Sequence, residues 1–181
     1  MFKVSLVGHS QIPYSLNVHN SEIRIFRAPG GRASSFFSDE RLNRVLSWKH
    51  DLCLLWLGSN DIADGIDPSL LTNTIREITR TIERDCEAVV CICLIEPRLY
   101  SGVRPISAEN YKKVQHSINR KIKRCMRNQV IHFNSNFYVE SLSSDGVHWS
   151  SAGRSKVEDK LITVIKGHMS AVLETVENHN F

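Results

Sequence analysis

The residues able to do chemistry fall in four short blocks. Three follow apolar runs of strand length: Gly8-His9-Ser10 after Phe2–Val7, Pro29-Gly30-Gly31 after Glu22–Phe26, and Gly58-Ser59-Asn60-Asp61 after Asp51–Leu57. The fourth, Asp145-Gly146-Val147-His148, follows the last strand and a short loop. Singly, each has an ordinary meaning: glycines make turns, Asn and Asp cap helices, and Ser after a strand often starts one. Together they supply an acyl-transfer site. A serine hydroxyl is a poor nucleophile at neutral pH and needs an adjacent base, for which His148 is the best-placed histidine. Asp145, three residues earlier, is positioned to accept the imidazole Nδ1–H and fix the tautomer that leaves Nε2 free. The negative charge of a tetrahedral intermediate needs donors, here assigned to the Ser10 N–H, the Gly31 N–H and the Asn60 side-chain amide.

The elements that must bring these blocks together are readable from the apolar pattern. Two further strand-length runs lie at Ala88–Ile95 and Val130–Asn134, and the longer runs are nearly continuous, as in strands covered on both faces. Between the strands lie helical stripes. Leu71, Ile75, Ile78 and Ile82 follow an Asp67-Pro68 start, while Tyr111, Val114, Ile118, Ile122 and Cys125 form a second stripe. Ile162, Ile165, Met169, Val172 and Val176 form a third, and a shorter helix is expected over Asp39–Lys49. Strands alternating with helices predict an α/β domain with a mostly parallel sheet, whose ligands sit beyond the carboxyl ends of the strands. With 181 residues, 41% of them hydrophobic, and no internal repeat or linker, residues 1–181 read as a single domain.

The four blocks, in this order, resemble the SGNH (GDSL-type) hydrolases over essentially the whole chain. The resemblance implies a three-layer α/β/α sandwich with a five-stranded parallel sheet, flavodoxin-like in its winding. It also implies a Ser10 nucleophile, an oxyanion hole from Ser10, Gly31 and Asn60, and neither metal nor other cofactor. Members cleave carboxylic esters, thioesters or lipid acyl groups, so the implied substrate is a small-molecule or lipid ester, with acetyl or short acyl groups favoured. His9 departs from the pattern, standing where the family usually has Asp, and alters the loop that holds Ser10. Gly-His-Ser in this position also resembles the esterase-type domains of invertebrate retroelements.

Other residues carry competing readings. His9 and His19 lack further ligands at metal spacing and read as surface histidines, with His9 also a candidate substrate contact beside Ser10. Trp149 either walls the acyl pocket or packs beneath the final helix, with packing preferred. Arg98 and Tyr100, in the irregular stretch Glu96–Ile106, are candidate substrate contacts. Gly30-Gly31-Arg32 lacks the spacing of a phosphate-binding loop. Cys91 and Cys93, two apart in an apolar strand, should face one side of the sheet and the core.

The chain carries 23 Lys+Arg against 19 Asp+Glu, a formal +4. Within Ser107–Asn128 stand Lys112, Lys113, Arg120, Lys121, Lys123, Arg124 and Arg127 against Glu109 alone, so the remaining residues are net −2. The basicity therefore belongs to one amphipathic helix. Its plain reading is a solvated face. The functional one is contact of Lys112, Lys113, Arg120, Lys123, Arg124 and Arg127 with nucleic-acid phosphates or anionic lipid. On this second reading the chain is a non-catalytic or moonlighting binding domain of a larger assembly. No apolar run approaches the roughly 20 residues that span a bilayer. The polar N-terminus and the odd number of cysteines, five, suggest an intracellular, cytoplasmic setting.

Overall fold

The computed structural model describes residues 1–36, 40–99, 106–126, 129–133, 137 and 140–178, the last three without side chains. In chain order the elements are β1 (Phe2–Gly8), β2 (Ser21–Arg27), α1 (Arg41–Leu46), β3 (Leu52–Trp56), α2 (Ser59–Ala63) and α3 (Pro68–Cys86). Then come β4 (Val89–Cys93), α4 (Ala108–Cys125), β5 (Val130–Ile131) and α5 (Ser151–Asn178). The five strands form one parallel sheet in the order β2-β1-β3-β4-β5. This is the three-layer α/β arrangement expected. Strand order reverses between β1 and β3, so the loops leaving those strands border the crevice where open α/β sheets hold ligands.

The alternation of side chains along each strand feeds two cores. Val7, Leu55 and Ile92 pack on one face with α1, α3 and α4, through Val45, Ile75, Ile78, Ile118 and Ile122. Leu6, Leu54 and Trp56 pack on the other with Val157, Leu161 and Ile165 of α5. Cys91 and Cys93 both point to this second core, and burial pushes the Cys91 thiol up to about 11. The buried thiols therefore behave as small hydrophobes. Replacing Leu54, which is fully buried, by alanine should cost about 2–5 kcal/mol, read as a lower urea midpoint with an unchanged m-value.

The helix boundaries follow local chemistry. The Asp67 Oδ1 accepts from the Ser69 and Leu70 N–H groups at 2.9 and 2.8 Å, and Pro68 occupies the first turn of α3, as its sequence predicts. Three elements are shorter than their apolar runs suggest: α1 spans six residues, β4 ends at Cys93 and β5 contains two. Just beyond β4 the Leu94 N–H still donates to the Ile131 carbonyl at 3.1 Å, whereas Ile95 stays buried without a ladder bond. In α5 the buried apolar side chains are Val157, Leu161 and Ile165, whereas Val172 of the expected stripe is 49% exposed. Asp39, Tyr100, Arg127, Asn134 and the side chain of Val176 lie outside the described residues. Among the described residues no helix is long and apolar enough to cross a membrane.

Candidate active site

Strand β1 ends at Gly8 and delivers His9, Ser10 and Gln11 into the crevice. The Ser10 carbonyl accepts from Arg27 Nη2 at 2.8 Å, tying the loop to the end of β2. Gln11 then joins it to the far end of the chain: its Nε2 donates to the Val147 carbonyl, and its own carbonyl accepts from Trp149 Nε1 at 3.1 Å. The two tethers flank His148 in sequence. They bring the Ser10 loop beside a histidine that no local interaction would place there.

His148 Nδ1–H donates to Asp145 Oδ2 at 2.6 Å. The other carboxylate oxygen accepts from Ser143 Oγ at 2.7 Å and from the Val147 and His148 N–H groups, both at 2.9 Å. Asp145 is thus fixed as the hub of a tight turn, and the imidazole is held in the tautomer that offers Nε2 as a base. The two side chains are 53% and 49% exposed, so the base faces solvent at the mouth of the crevice. Ser10 Oγ and His148 Nε2 make no hydrogen bond to a described residue.

Desolvation alone would raise the Asp145 pKa, but hydrogen bonds from His148, Ser143 and two backbone N–H groups outweigh it and hold the carboxyl well below the usual carboxylate range. The folded chain therefore keeps Asp145 ionised where the unfolded chain has taken up a proton. The resulting stability is present above the ordinary carboxylate range, about pH 4, and is lost as pH falls through that range and below it. The melting-temperature gap between wild type and Asp145→Asn should accordingly be widest near neutrality and close as the solution is taken to strong acid.

The two expected oxyanion residues, Asn60 and Gly31, follow two other strand ends. Gly58 caps α2 with φ of 109°, a conformation that favours glycine, and so starts α2 at Ser59 and Asn60 soon after β3. Asn60 is 5% exposed. Its Nδ2 donates one hydrogen to the Gly31 carbonyl at 3.0 Å, which leaves the second N–H for a ligand. Its Oδ1 accepts from Arg98 Nη2 at 2.8 Å. Gly31 itself departs from expectation. Ala28-Pro29-Gly30-Gly31 forms a turn in which Gly30 takes φ of 68° and the Gly31 N–H donates to Ala28 O at 2.7 Å. That N–H is committed to the turn, so Gly31 meets the site through its carbonyl rather than as the expected oxyanion donor.

Two further expectations, for His9 and Arg98, are corrected, and the packing preferred for Trp149 is observed. His9 is fully buried, with Nδ1 accepting from the Gln11 N–H at 3.4 Å and Nε2 lying 3.5 Å from Glu96 Oε1. It is neither a surface histidine nor a substrate contact. Burial pushes its pKa down despite the opposing pull of Glu96. Trp149 is 5% exposed, packed beside Trp56 and Phe137, and therefore belongs to the core rather than to a pocket wall. Arg98, 9% exposed, is turned inward, where its Nε donates to Ser59 Oγ at 3.0 Å while Nη2 holds Asn60. Ser59 Oγ also meets the Tyr111 hydroxyl at 2.9 Å, and Tyr111 donates to the Glu96 carbonyl at 3.1 Å. His19 is exposed, and Tyr100 lies outside the described residues.

Several contributors escape a reading of the sequence. Asp61 accepts from the Ala33 and Ser34 N–H groups at 2.8 and 3.0 Å, locking the Gly31 loop onto the Asn60 block. Glu96 is buried and accepts from Trp56 Nε1 at 2.9 Å. Gln115 and Asn119 of α4 satisfy the backbone of Ile95 beyond the last ladder bond of β4. Two amides four residues apart beside an apolar stripe are the signal that could have marked them as buried. Among the described residues no three His, Cys, Asp or Glu side chains are grouped to hold a metal ion.

No protein-family model and no curated protein sequence matches the chain. Solved structures do. A lipase/acylhydrolase from Enterococcus faecalis superposes with a TM-score of 0.74 at 20% identity, over 93% of this chain and 97% of that one. The fold is that of the GDSL-type hydrolases. An acetyl xylan esterase gives 0.70 at 15% identity, over 90% of this chain and 99% of that one. A psychrotrophic esterase from Pseudoalteromonas sp., inhibited by monoethylphosphonate, gives 0.69 at 14% identity, over 93% and 98%. In this GDSL-type framework Ser10 and Asn60 follow the first and third strands, and Asp145 and His148 precede the final helix.

Proposed function

We propose that the chain is a serine esterase acting on carboxylic esters through Ser10, His148 and Asp145. The observation that carries this reading is the Asp145–His148 pair tethered through Gln11 to the Ser10 loop, across the crevice from Asn60. The esterases and acylhydrolases among its structural neighbours support the same class.

In the first half-reaction His148 Nε2 takes the Ser10 hydroxyl proton as Oγ bonds to the acyl carbon. The carbonyl electrons move to oxygen, which meets the Ser10 N–H and the second N–H of Asn60 Nδ2. On collapse the carbon–oxygen bond to the alcohol breaks, and the imidazolium returns its proton to the departing oxygen. Water, deprotonated by His148, then attacks the acyl-Ser10 ester; the bond from the acyl carbon to Ser10 Oγ breaks, the imidazolium returns its proton to Oγ, and the acid is released. Arg98 does not touch the reacting atoms. It is a positioning residue: its charge-assisted bond to Asn60 Oδ1 fixes the amide orientation and draws electron density from Nδ2. Acetyl and short acyl esters are the proposed substrates.

Turnover of p-nitrophenyl acetate is the expected result, with a burst of nitrophenol equal to the enzyme concentration where deacylation is the slower step. Absence of turnover across acetyl to octanoyl p-nitrophenyl esters would refute the assignment.

A further inference from the structure

Two polar atoms buried behind the nucleophile loop have only each other. His9 Nε2 and Glu96 Oε1 lie 3.5 Å apart, and neither has a hydrogen bond to any other group among the described residues. The second carboxylate oxygen of Glu96 accepts from Trp56 Nε1 at 2.9 Å. On the other edge of the imidazole, Nδ1 accepts the Gln11 N–H at 3.4 Å. The ring is neutral: desolvation outweighs the pull of Glu96 and Asp61, and Arg98 and His148 also oppose a charge on it. A neutral imidazole carries one N–H, and with Nδ1 accepting, that proton stands on Nε2, facing Glu96. His9 is thus held in the tautomer opposite to that of His148.

This tautomer bears on Ser10 through the two peptide planes that flank it. The plane before Ser10 contains the His9 carbonyl and the Ser10 N–H, and that carbonyl accepts from the Ile12 N–H at 3.3 Å. The plane after it contains the Ser10 carbonyl and the Gln11 N–H. It is pinned at both edges, by Arg27 Nη2 on the oxygen at 2.8 Å and by His9 Nδ1 on the N–H. Gln11 in turn makes both tethers to the residues beside His148. Glu96 reaches the opposite side of the site as well. Its main-chain carbonyl accepts from Tyr111, whose hydroxyl meets Ser59 Oγ, and Ser59 accepts from Arg98, the partner of Asn60.

We propose that Glu96 and His9 are positioning residues for the nucleophile: Glu96 holds the proton on His9 Nε2, and this keeps Nδ1 as the acceptor that fixes the peptide joining Ser10 to Gln11. The proposal rests on the esterase reading and assigns what orients its nucleophile. Neither side chain touches the reacting atoms. The carboxylate is required because Glu96 faces two donors, Trp56 Nε1–H and His9 Nε2–H, and an amide offers one acceptor and one donor. In Glu96→Gln, with the amide oxygen on Trp56, the amide hydrogens oppose His9 Nε2–H. The ring escapes by carrying its proton on Nδ1 instead, against the Gln11 N–H.

Histidine nitrogen NMR, with the His9 signals identified by their loss in His9→Asn, reads the tautomer, and p-nitrophenyl acetate kinetics below each variant's melting temperature read its consequence. Wild type should show a neutral His9 protonated on Nε2. Glu96→Gln should move that proton to Nδ1 and lower kcat about ten-fold with KM little changed. Adding His9→Asn to Glu96→Gln should restore most of the loss, because it removes the opposed donor while its side-chain oxygen takes the Gln11 N–H in an Asx turn. Adding His9→Phe removes the same donor but supplies no acceptor, and should restore nothing. Should Glu96→Gln fail to fold, the single variants decide: kcat near wild type in His9→Asn and about ten-fold lower in His9→Phe sustains the role, and equal kcat in the two overturns it. A wild-type His9 protonated on Nδ1 or on both nitrogens, a Glu96→Gln enzyme with wild-type kcat, a loss carried by KM, or no difference between the two double variants overturns the positioning role while the esterase reading stands. A wild type that neither turns over an ester nor takes a phosphonate on Ser10 overturns the esterase reading and, with no nucleophile to position, this role with it.

Discussion

Ser10→Ala should lower kcat for p-nitrophenyl acetate by about 10⁴–10⁶, with KM and melting temperature nearly unchanged. The effect is large because, on the proposed mechanism, the substitution removes the atom that forms the acyl-enzyme and leaves Asn60 and the loop N–H to act on attack by water. The small effect on folding has its own cause. Ser10 is part-exposed, and its Oγ bonds no described residue, whereas the loop is held by the Ser10 carbonyl and by Gln11. His148→Ala should cost a similar factor, and the double substitution little more than either alone, since nucleophile and base act as one unit. Initial rates and thermal melts of the three variants check this, and a Ser10→Ala enzyme with undiminished turnover would refute it.

Asn60→Ala should lower kcat by about 10²–10³ through loss of a transition-state donor. Here folding should suffer as well, because Arg98 loses its Asn60 acceptor while remaining buried, a cost of about 1–3 kcal/mol. Arg98→Met separates the two roles. It leaves Asn60 in place but removes the guanidinium that orients the amide, so kcat should fall about ten-fold with KM little moved. Arg98→Lys should recover only part of the loss, since an ammonium cannot reach Ser59 and Asn60 with the same fork. A fall carried by KM instead would make Arg98 a substrate contact, as its place in an irregular loop suggests from the sequence.

What the sequence discloses and what it hides divide along physical lines. The strand runs, the Asp67 cap and the four blocks are legible because each depends on local periodicity or on a residue type at a turn. Topology then brings the blocks to one edge. Hidden features depend on where a side chain is buried. His9 looks like a surface histidine until the packing encloses it with Glu96, and Trp149 is drawn into the aromatic cluster of Trp56 and Phe137. Gly31 fits a donor role by type, but the hydrogen bonding of its turn takes its N–H away. The charge count makes the basic helix look remote from the chemistry. Instead α4, anchored by Gln115 and Asn119, sets Lys112, Arg120 and Lys123 along a cleft that Arg98, the partner of Asn60, also lines.

The central claim is that Ser10 is an activated nucleophile, and labelling with a p-nitrophenyl phosphonate ester followed by peptide mapping tests it without knowledge of the substrate. One phosphonyl group on Ser10 is the predicted result, with labelling abolished in Ser10→Ala and strongly slowed in His148→Ala. An unlabelled chain, or a label at another serine such as Ser59 with Ser10 unmodified, would contradict the account.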